Sequence, residues 1–187
     1  MKGFAVGVTV TLVCIIGAVF AYFAGGFAPV ATSSSPMPFE RELAHVALNA
    51  TLRRHMPKRV PIEANEANYL AGAHEYLINC AVCHSVPGKE KTAIARGEFP
   101  IPPELFKGTG VTDDPPGETY WKVANGIRLT GMPGFDQSLS ETQMWQISLM
   151  LANADKLPKS VTAALAGQHE SPQPASAAAA DHPTATK

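Results

Sequence analysis

The chain has little of what builds a self-sufficient core or a surface of one charge. Aromatic residues make up 7% of its 187 positions and charged residues 17%, and 15 basic side chains nearly balance 16 acidic ones. This balance leaves no positive field over the whole surface, so we predict no nucleic-acid partner. The 15 glycines and 16 prolines suit loops, and we expect another component to supply core volume. The length allows one compact domain with flanking segments.

Charge is almost absent from the start of the chain, where Lys2 is the one charged side chain before Glu40. No residue from Gly3 to Phe39 is charged, and Phe4 to Phe23 forms an apolar run of the roughly 20 residues that cross a bilayer. We interpret residues 1–30 as a transmembrane anchor or a cleaved signal peptide, and the length of the run favours the retained anchor. Both a retained anchor and a cleaved signal peptide would place the rest of the chain outside the cytoplasm. We therefore expect a single-pass protein of the inner (cytoplasmic) membrane, with its folded part on the periplasmic or extracytoplasmic side.

The remaining chain divides into three further segments. Residues 31–60 are predicted to be a spacer and an amphipathic helix, because Phe39, Leu43, Val46 and Ala50 recur at helical spacing before Pro57. Residues 61–158 are predicted to be the folded domain. Residues 159–187 are rich in Ala, Ser and Pro and lack large apolar side chains, so we expect a disordered tail.

Cysteine is scarce, and two of the three cysteines stand in the pentapeptide Cys80-Ala81-Val82-Cys83-His84. Two thiols three positions apart are reached by the two vinyl groups of a haem, and the histidine that follows turns its imidazole toward the iron. Export agrees with this assignment, because bacterial c-type haem is attached outside the cytoplasm. We predict one covalent haem c on Cys80 and Cys83, with His84 as an axial ligand.

Three other interpretations of the pentapeptide are weaker. A disulfide between Cys80 and Cys83 would close a very short loop and add little stability. A thioredoxin-like redox pair needs strands around it, and none precedes Asn79. A zinc site needs four ligands, and only His74 lies near the motif.

A second axial ligand is predicted downstream. Met132 stands in Gly131-Met132-Pro133-Gly134, where glycine and proline prevent a regular helix and let the backbone approach a large planar group. Met144 and Met150 lie in a helical pattern and are expected to fill the core. Ligation by His84 and Met132 leaves no open coordination position, which favours electron transfer over oxygen chemistry.

Between the motif and Met132, residues 85–117 are rich in Gly and Pro and offer little regular structure. A loop of this length needs a buried cofactor to support it. We expect the carbonyl of Pro102 or Pro103 to bind the second ring nitrogen of His84. The following apolar side chains are expected to line the haem: Ile94, Phe99, Ile101, Leu105 and Phe106.

Three helices are predicted around this loop. The first covers residues 66–79 after an Asn65 cap, the second residues 116–125, and the third follows a capping box that begins at Ser140.

These features together resemble a class I c-type cytochrome with one haem. The resemblance rests on Cys80 to His84, on the segment Asn125 to Phe135 and on the last helix. It implies an all-α class I cytochrome c fold around one covalent haem, preceded here by the transmembrane and amphipathic helices. In such a fold Gly72 allows the first and last helices to cross closely near Trp145, and Trp121 and Arg128 approach a haem propionate.

The predicted function is one-electron transfer in a periplasmic or respiratory chain, as a shuttle or as a subunit of a membrane oxidoreductase. On this interpretation the chain is an electron carrier and not an enzyme, its partners are redox proteins at the membrane, and it binds no small-molecule substrate. The alternative is a peroxidase-like or gas-binding haem protein whose sixth ligand is displaceable. A zinc-binding interaction module is a third class.

Overall fold

The computed structural model describes residues 2–167, and this part of the chain contains α-helices and no strand. The predicted all-α class is therefore confirmed. In chain order the helices are α1 (Lys2–Ala24), α2 (Glu40–His55), α3 (Glu66–Asn79), α4 (Ala81–His84), α5 (Ala93–Gly97), α6 (Pro116–Asn125), α7 (Glu141–Ala152) and α8 (Lys159–Gly167).

Helix α1 is the apolar run at the start of the chain, and none of its residues is buried. Within the described residues it is the one helix long and apolar enough to cross a membrane. Its length and composition are compatible with a single-pass anchor.

Helices α3 and α7 cross at very short range. Capping residues in the local sequence set the position at which each of the two helices begins. The Asn65 side chain accepts a hydrogen bond from the Asn68 amide, and Ser140 forms a complete capping box with Gln143. At the crossing, a Cβ on Gly72 would run into the Gln146 carbonyl group, 2.5 Å from its carbon. Glycine is needed there because two helix backbones touch.

The core of the domain lies between α3, α6 and α7. Tyr76, Ile147, Met150 and Leu151 are almost completely buried there, and Met144 is 3% exposed. Met144 and Met150 thus occupy the core, as their helical spacing predicts. The crossing lies beside Trp145, as expected, since Gly72 meets the adjacent Gln146, and the Trp145 ring stacks on Tyr120 of α6 with ring centroids 4.2 Å apart.

The chain after residue 158 differs from the predicted disordered tail. Residues 159–167 form α8, which packs on α3 and completely buries Val161 and Leu165. The Ser160 hydroxyl also donates to the Glu66 carboxylate at the start of α3. Two apolar side chains one turn apart are enough to dock this short helix, although its composition is poor in large residues. The rest of the predicted tail, residues 168–187, lies outside the described residues.

Helix α2 packs against α6. Leu52 is 3% exposed, and the carbonyl of Pro57 lies so close to Gly117 that a Cβ there would sit 3.0 Å from the Pro57 carbonyl carbon. The amphipathic segment therefore joins the domain at its C-terminal end.

Candidate functional site

The cysteine pair lies where α3 ends and the short helix α4 begins. The Cys80 amide donates to the Tyr76 carbonyl as the last bond of α3, and the Cys80 carbonyl accepts from the amides of Cys83 and His84. This turn places both thiols and the imidazole on one short stretch of backbone. The hydroxyl of Tyr76 then donates to the buried carbonyl of Ser85 at 2.6 Å, which fixes the chain just after His84.

The imidazole of His84 is oriented by the following loop. Its Nδ1 lies 2.8 Å from the carbonyl oxygen of Pro103. Burial lowers the pKa of His84, although the Pro103 carbonyl acts in the opposite direction. A carbonyl only accepts, so the neutral ring carries its proton on Nδ1 and presents the Nε2 lone pair to a ligand. Of the two carbonyls considered from sequence, Pro102 is the wrong one, because its carbonyl accepts from the Lys91 ammonium group instead.

The surroundings of both thiols favour the protonated form. Burial, followed by the nearby Cys83 and Glu75, raises the pKa of Cys80 to about 12. Burial and a hydrogen bond of 3.1 Å to the Glu98 carboxylate raise the pKa of Cys83 to about 11. A redox-active cysteine pair needs a lowered pKa, so these surroundings do not suit thioredoxin-like chemistry. Among residues 2–167, no group of three or more His, Cys, Asp or Glu side chains is arranged to hold a metal ion.

Met132 is positioned by a loop that folds back on the end of α6. The Met132 carbonyl accepts from the Ile127 amide at 3.1 Å, and its own amide donates to the Thr130 hydroxyl. The loop turns at Gly126, whose φ is 67° and whose Cβ, if present, would lie 2.5 Å from the Gly134 nitrogen. Only glycine tolerates both that backbone angle and that approach.

Cys80, Cys83, His84 and Met132 line one cavity of about 230 Å³, although they come from separate segments of the chain. Most of the wall is apolar. The apolar lining residues include Leu48, Pro100, Ile101, Pro102, Pro103, Leu105, Val111, Val123, Ile127, Pro133, Phe135, Ile147 and Leu151. Two thiols, a neutral imidazole and a thioether around an apolar space fit a haem c group, which needs two attachment points, two axial ligands and a dry environment.

Other residues named from sequence lie away from the cavity wall. Trp121 is half-buried on α6 and Arg128 is exposed, and neither is among the lining residues, so their propionate contacts stay predictions. Of the apolar side chains expected in the wall, Ile101 and Leu105 are present, while Ile94 is 60% exposed and Phe106 packs edge-on against Tyr76. Phe99 is also not among the lining residues.

Among the lining residues that sequence reasoning did not place in the cavity are Leu48, Glu98 and Lys122. The Lys122 ammonium group pairs with Glu118 at 2.7 Å, an ordinary helix pair at residues i and i+4 that gives no sign of the cavity. No pattern around Glu98 or Leu48 points to the site either, because both reach it through the tertiary fold.

Comparison with known proteins agrees with this geometry. Residues 67–149, somewhat less than half of the chain, match the family described as cytochrome C oxidase, cbb3-type, subunit III. The matched segment is a c-type cytochrome domain. Its all-helical structure is consistent with the class I cytochrome c fold, and proteins of this kind carry covalently bound haem c. Helices α2 and α8 lie outside the matched segment on either side of the cytochrome domain.

A solved structure also resembles this chain over part of its length. It is described as a reducing HAO-like protein complex of Kuenenia stuttgartiensis, with 22% sequence identity and a TM-score of 0.44. The similarity covers 56% of this chain and 53% of that one, so the chain spans about half the length of this relative. No curated protein matches the chain.

Proposed function

We propose that the chain is a membrane-tethered cytochrome with one haem that transfers single electrons. The proposal rests on one observation. A single apolar cavity is lined by Cys80, Cys83, His84 and Met132. The pentapeptide at residues 80–84 supplies one pair of attachment points, so the proposal assigns one haem to the chain.

Each of the four residues has a distinct role in this proposal. Cys80 and Cys83 would hold the haem through thioethers, and His84 and Met132 would ligate its iron. When bound, the haem supplies a reversible one-electron couple. The Pro103 carbonyl keeps the His84 ring in place, and the loop from Gly126 to Gly134 does the same for Met132. With both His84 and Met132 as iron ligands, the haem would have no open position for a substrate, and the chain would act as a carrier.

The proposed location is the inner membrane, with the cytochrome domain on the periplasmic or extracytoplasmic side. Support comes from α1, which is long and apolar enough to cross a bilayer. A tether raises the local concentration of the haem domain near membrane proteins. The proposed partners are therefore redox proteins at the membrane, which the chain serves as a shuttle or as a subunit of an oxidoreductase.

Replacing Met132 tests the axial assignment. The Met132→Ala variant is expected to keep its covalent haem and to lose the low-spin absorption spectrum. Met37→Ala is the matched control, because Met37 lies between α1 and α2 and not in the cavity wall. An unchanged low-spin spectrum in Met132→Ala would assign the sixth ligand to another residue.

Two further measurements separate the proposal from its competitors. Carbon monoxide titration of the reduced protein is expected to show little binding, whereas ready binding would favour the peroxidase-like or gas-binding alternative. Iron analysis is expected to give one iron per chain. A haem stain on a denaturing gel is expected to mark the wild-type chain and to fail for the double variant Cys80→Ala, Cys83→Ala.

A further inference from the structure

Helix α2 lies outside the segment that matches the cytochrome family, and its inner face belongs to the cytochrome domain. Leu48 lines the cavity that holds Cys80 and Met132, and Leu52, one turn further on, is 3% exposed. These two leucines at positions i and i+4 define one face of the helix. That face is turned toward the cytochrome domain, with Leu52 buried and Leu48 half-buried.

The opposite face of α2 is apolar and has no partner among the described residues. Phe39, just before the helix, and Leu43 and Val46 within it are 73%, 67% and 66% exposed. At about 100° per residue Leu43 and Val46 lie about 60° apart, on the side of the helix roughly 180° from Leu48, and Phe39 immediately precedes the helix. Burying side chains of this size contributes about 1.5 to 3 kcal/mol each. A contiguous apolar stripe left in water therefore indicates a surface that is covered in the working protein.

Basic side chains surround the C-terminal end of this stripe. By the same helical arithmetic Arg53 and Arg54 flank it on either side, and Lys58 and Arg59 follow directly after the helix. All four are exposed. Residues 40–59 carry five basic and two acidic side chains, whereas residues 60–158 carry seven basic and twelve acidic ones. Four of the five basic side chains of residues 40–59 thus lie at the C-terminal end of the apolar stripe.

An apolar stripe bordered by arginines is the pattern of a helix that lies in a lipid interface. The apolar side chains enter the acyl boundary, while the arginine stems run along it and their guanidinium groups reach anionic headgroups. A basic end also complements such headgroups by charge. Residues 25–39, between α1 and α2, span at most about 50 Å when extended, which keeps α2 within reach of a bilayer crossed by α1.

We infer that the outer face of α2, formed by Phe39, Leu43 and Val46, lies on an anionic lipid surface. The helix then separates the bilayer from the cytochrome domain, with Leu48 and Leu52 toward the protein. This inference rests on the proposed anchoring by α1. It adds a second membrane contact, which fixes the orientation of the haem domain as well as its distance from the bilayer.

Cysteine reactivity in vesicles tests this orientation. The full-length protein with its haem, carrying Cys14→Ser, is reconstituted in phosphatidylcholine vesicles that contain one quarter phosphatidylglycerol. Val46→Cys and Ala44→Cys are compared in this background, since both positions are exposed and Ala44 lies about 120° around the helix from the stripe. Each variant is treated with a water-soluble maleimide, and the rate at which its introduced cysteine is modified is measured. This rate is divided by the modification rate of the same variant unfolded in guanidinium. The Cys14→Ser parent gives the background rate.

The normalised rate of Val46→Cys is expected to be at least about tenfold lower than that of Ala44→Cys. Adding Arg53→Gln and Arg54→Gln to Val46→Cys is expected to restore much of the lost reactivity. Equal rates at positions 44 and 46 would overturn the inference, because the stripe would then face water. Crosslinking of two Val46→Cys chains by a short bis-maleimide would also overturn it, because the occupant would be a second copy.

Two readings on the same samples separate this inference from the proposed function. Flotation of the chain with the vesicles after a carbonate wash reports anchoring by α1, and the haem absorption spectrum reports the site. Equal reaction rates in a sample that floats and has a low-spin haem spectrum overturn only the position of α2. A chain that does not float overturns the anchoring and this inference together.

Discussion

The crossing of α3 and α7 makes Gly72→Ala the sharpest test of the fold. An added Cβ would lie 2.5 Å from the Gln146 carbonyl carbon and 3.0 Å from the Ile147 nitrogen, and closer still to the Gln146 oxygen. Favourable contacts between heavy atoms begin near 3.5 Å. Since the clash is with backbone, no change of rotamer relieves it. The two helices must separate by about 1 Å, which loosens the packing around Tyr76 and Ile147.

The expected cost follows from two opposing effects. Overpacking a well-filled core costs typically about 1 to 3 kcal/mol, and a clash between two backbones falls at the upper end of that range. Alanine recovers up to about 1 kcal/mol through its better helix propensity. The net loss is about 2 kcal/mol in the free energy of unfolding. For a domain of this size it corresponds to a fall in Tm of roughly 8 to 16 °C.

Thermal unfolding of the full-length protein in detergent, followed by far-UV circular dichroism, measures this fall. Gly97→Ala is the matched control, because a Cβ at Gly97 meets nothing within 4 Å and its backbone angle is ordinary. The control is expected to be neutral or stabilised by up to about 1 kcal/mol. If Gly72→Ala unfolded at the temperature of the wild-type protein, the close crossing of α3 and α7 would be refuted.

Two further predictions concern the surroundings of the cavity. Burial raises the pKa of Tyr76 above its ordinary value of 10, so the Tyr76 hydroxyl ionises more readily in the unfolded state than in the folded state. The free energy of unfolding of the wild type is therefore expected to fall as the pH rises above about 10, by up to about 1.4 kcal/mol per pH unit. Tyr76→Phe is expected to cost about 1 to 3 kcal/mol at pH 7, because the Ser85 carbonyl loses its donor, and to show a smaller alkaline decline than the wild type, because the pKa of Tyr120 is raised as well. Denaturant titrations at pH 7, 10 and 11 check this, and a constant difference from wild type would contradict it. Leu48→Ala is expected to admit water to the cavity and to lower the haem midpoint potential, because water favours the more highly charged oxidised form. Leu43→Ala, on the exposed face of α2, is expected to leave the midpoint potential unchanged. Potentiometric titration compares the two, and equal potentials would show that α2 does not close the cavity.

Much of the fold was predictable because its signals are local. Asn65 and Ser140 cap their helices through bonds to residues three positions away, so a short stretch of sequence contains the whole cause. Helix α8 was missed because its stability comes from docking Val161 and Leu165 on α3, which composition does not reveal. The apolar periodicity of α2 was visible in the sequence, but the residues that produce it lie on the exposed face of the helix. The packing of α2 on the domain depends instead on Leu48 and Leu52.

The residues of the site likewise fall into those that a local sequence pattern predicts and those that only the tertiary structure brings to the cavity. The pentapeptide at residues 80–84 and the loop around Met132 have strong local patterns, and the structure brings both to one cavity. Choosing between the Pro102 and Pro103 carbonyls required the rotation of the loop backbone, which sequence does not give. Glu98 reaches Cys83 from a distance of fifteen positions along the chain, and only the tertiary structure brings the carboxylate and the thiol together.

The docking of α8 sets a limit on how the C-terminal end of this protein can be altered. Fusing a reporter or an affinity tag directly after Pro158 would remove Val161 and Leu165, which are both completely buried against α3. At about 1.5 to 3 kcal/mol for each side chain, that deletion would cost a large share of the stability of a small domain. Fusion points for tagging should therefore follow Gly167, so that all described residues of α8 are kept.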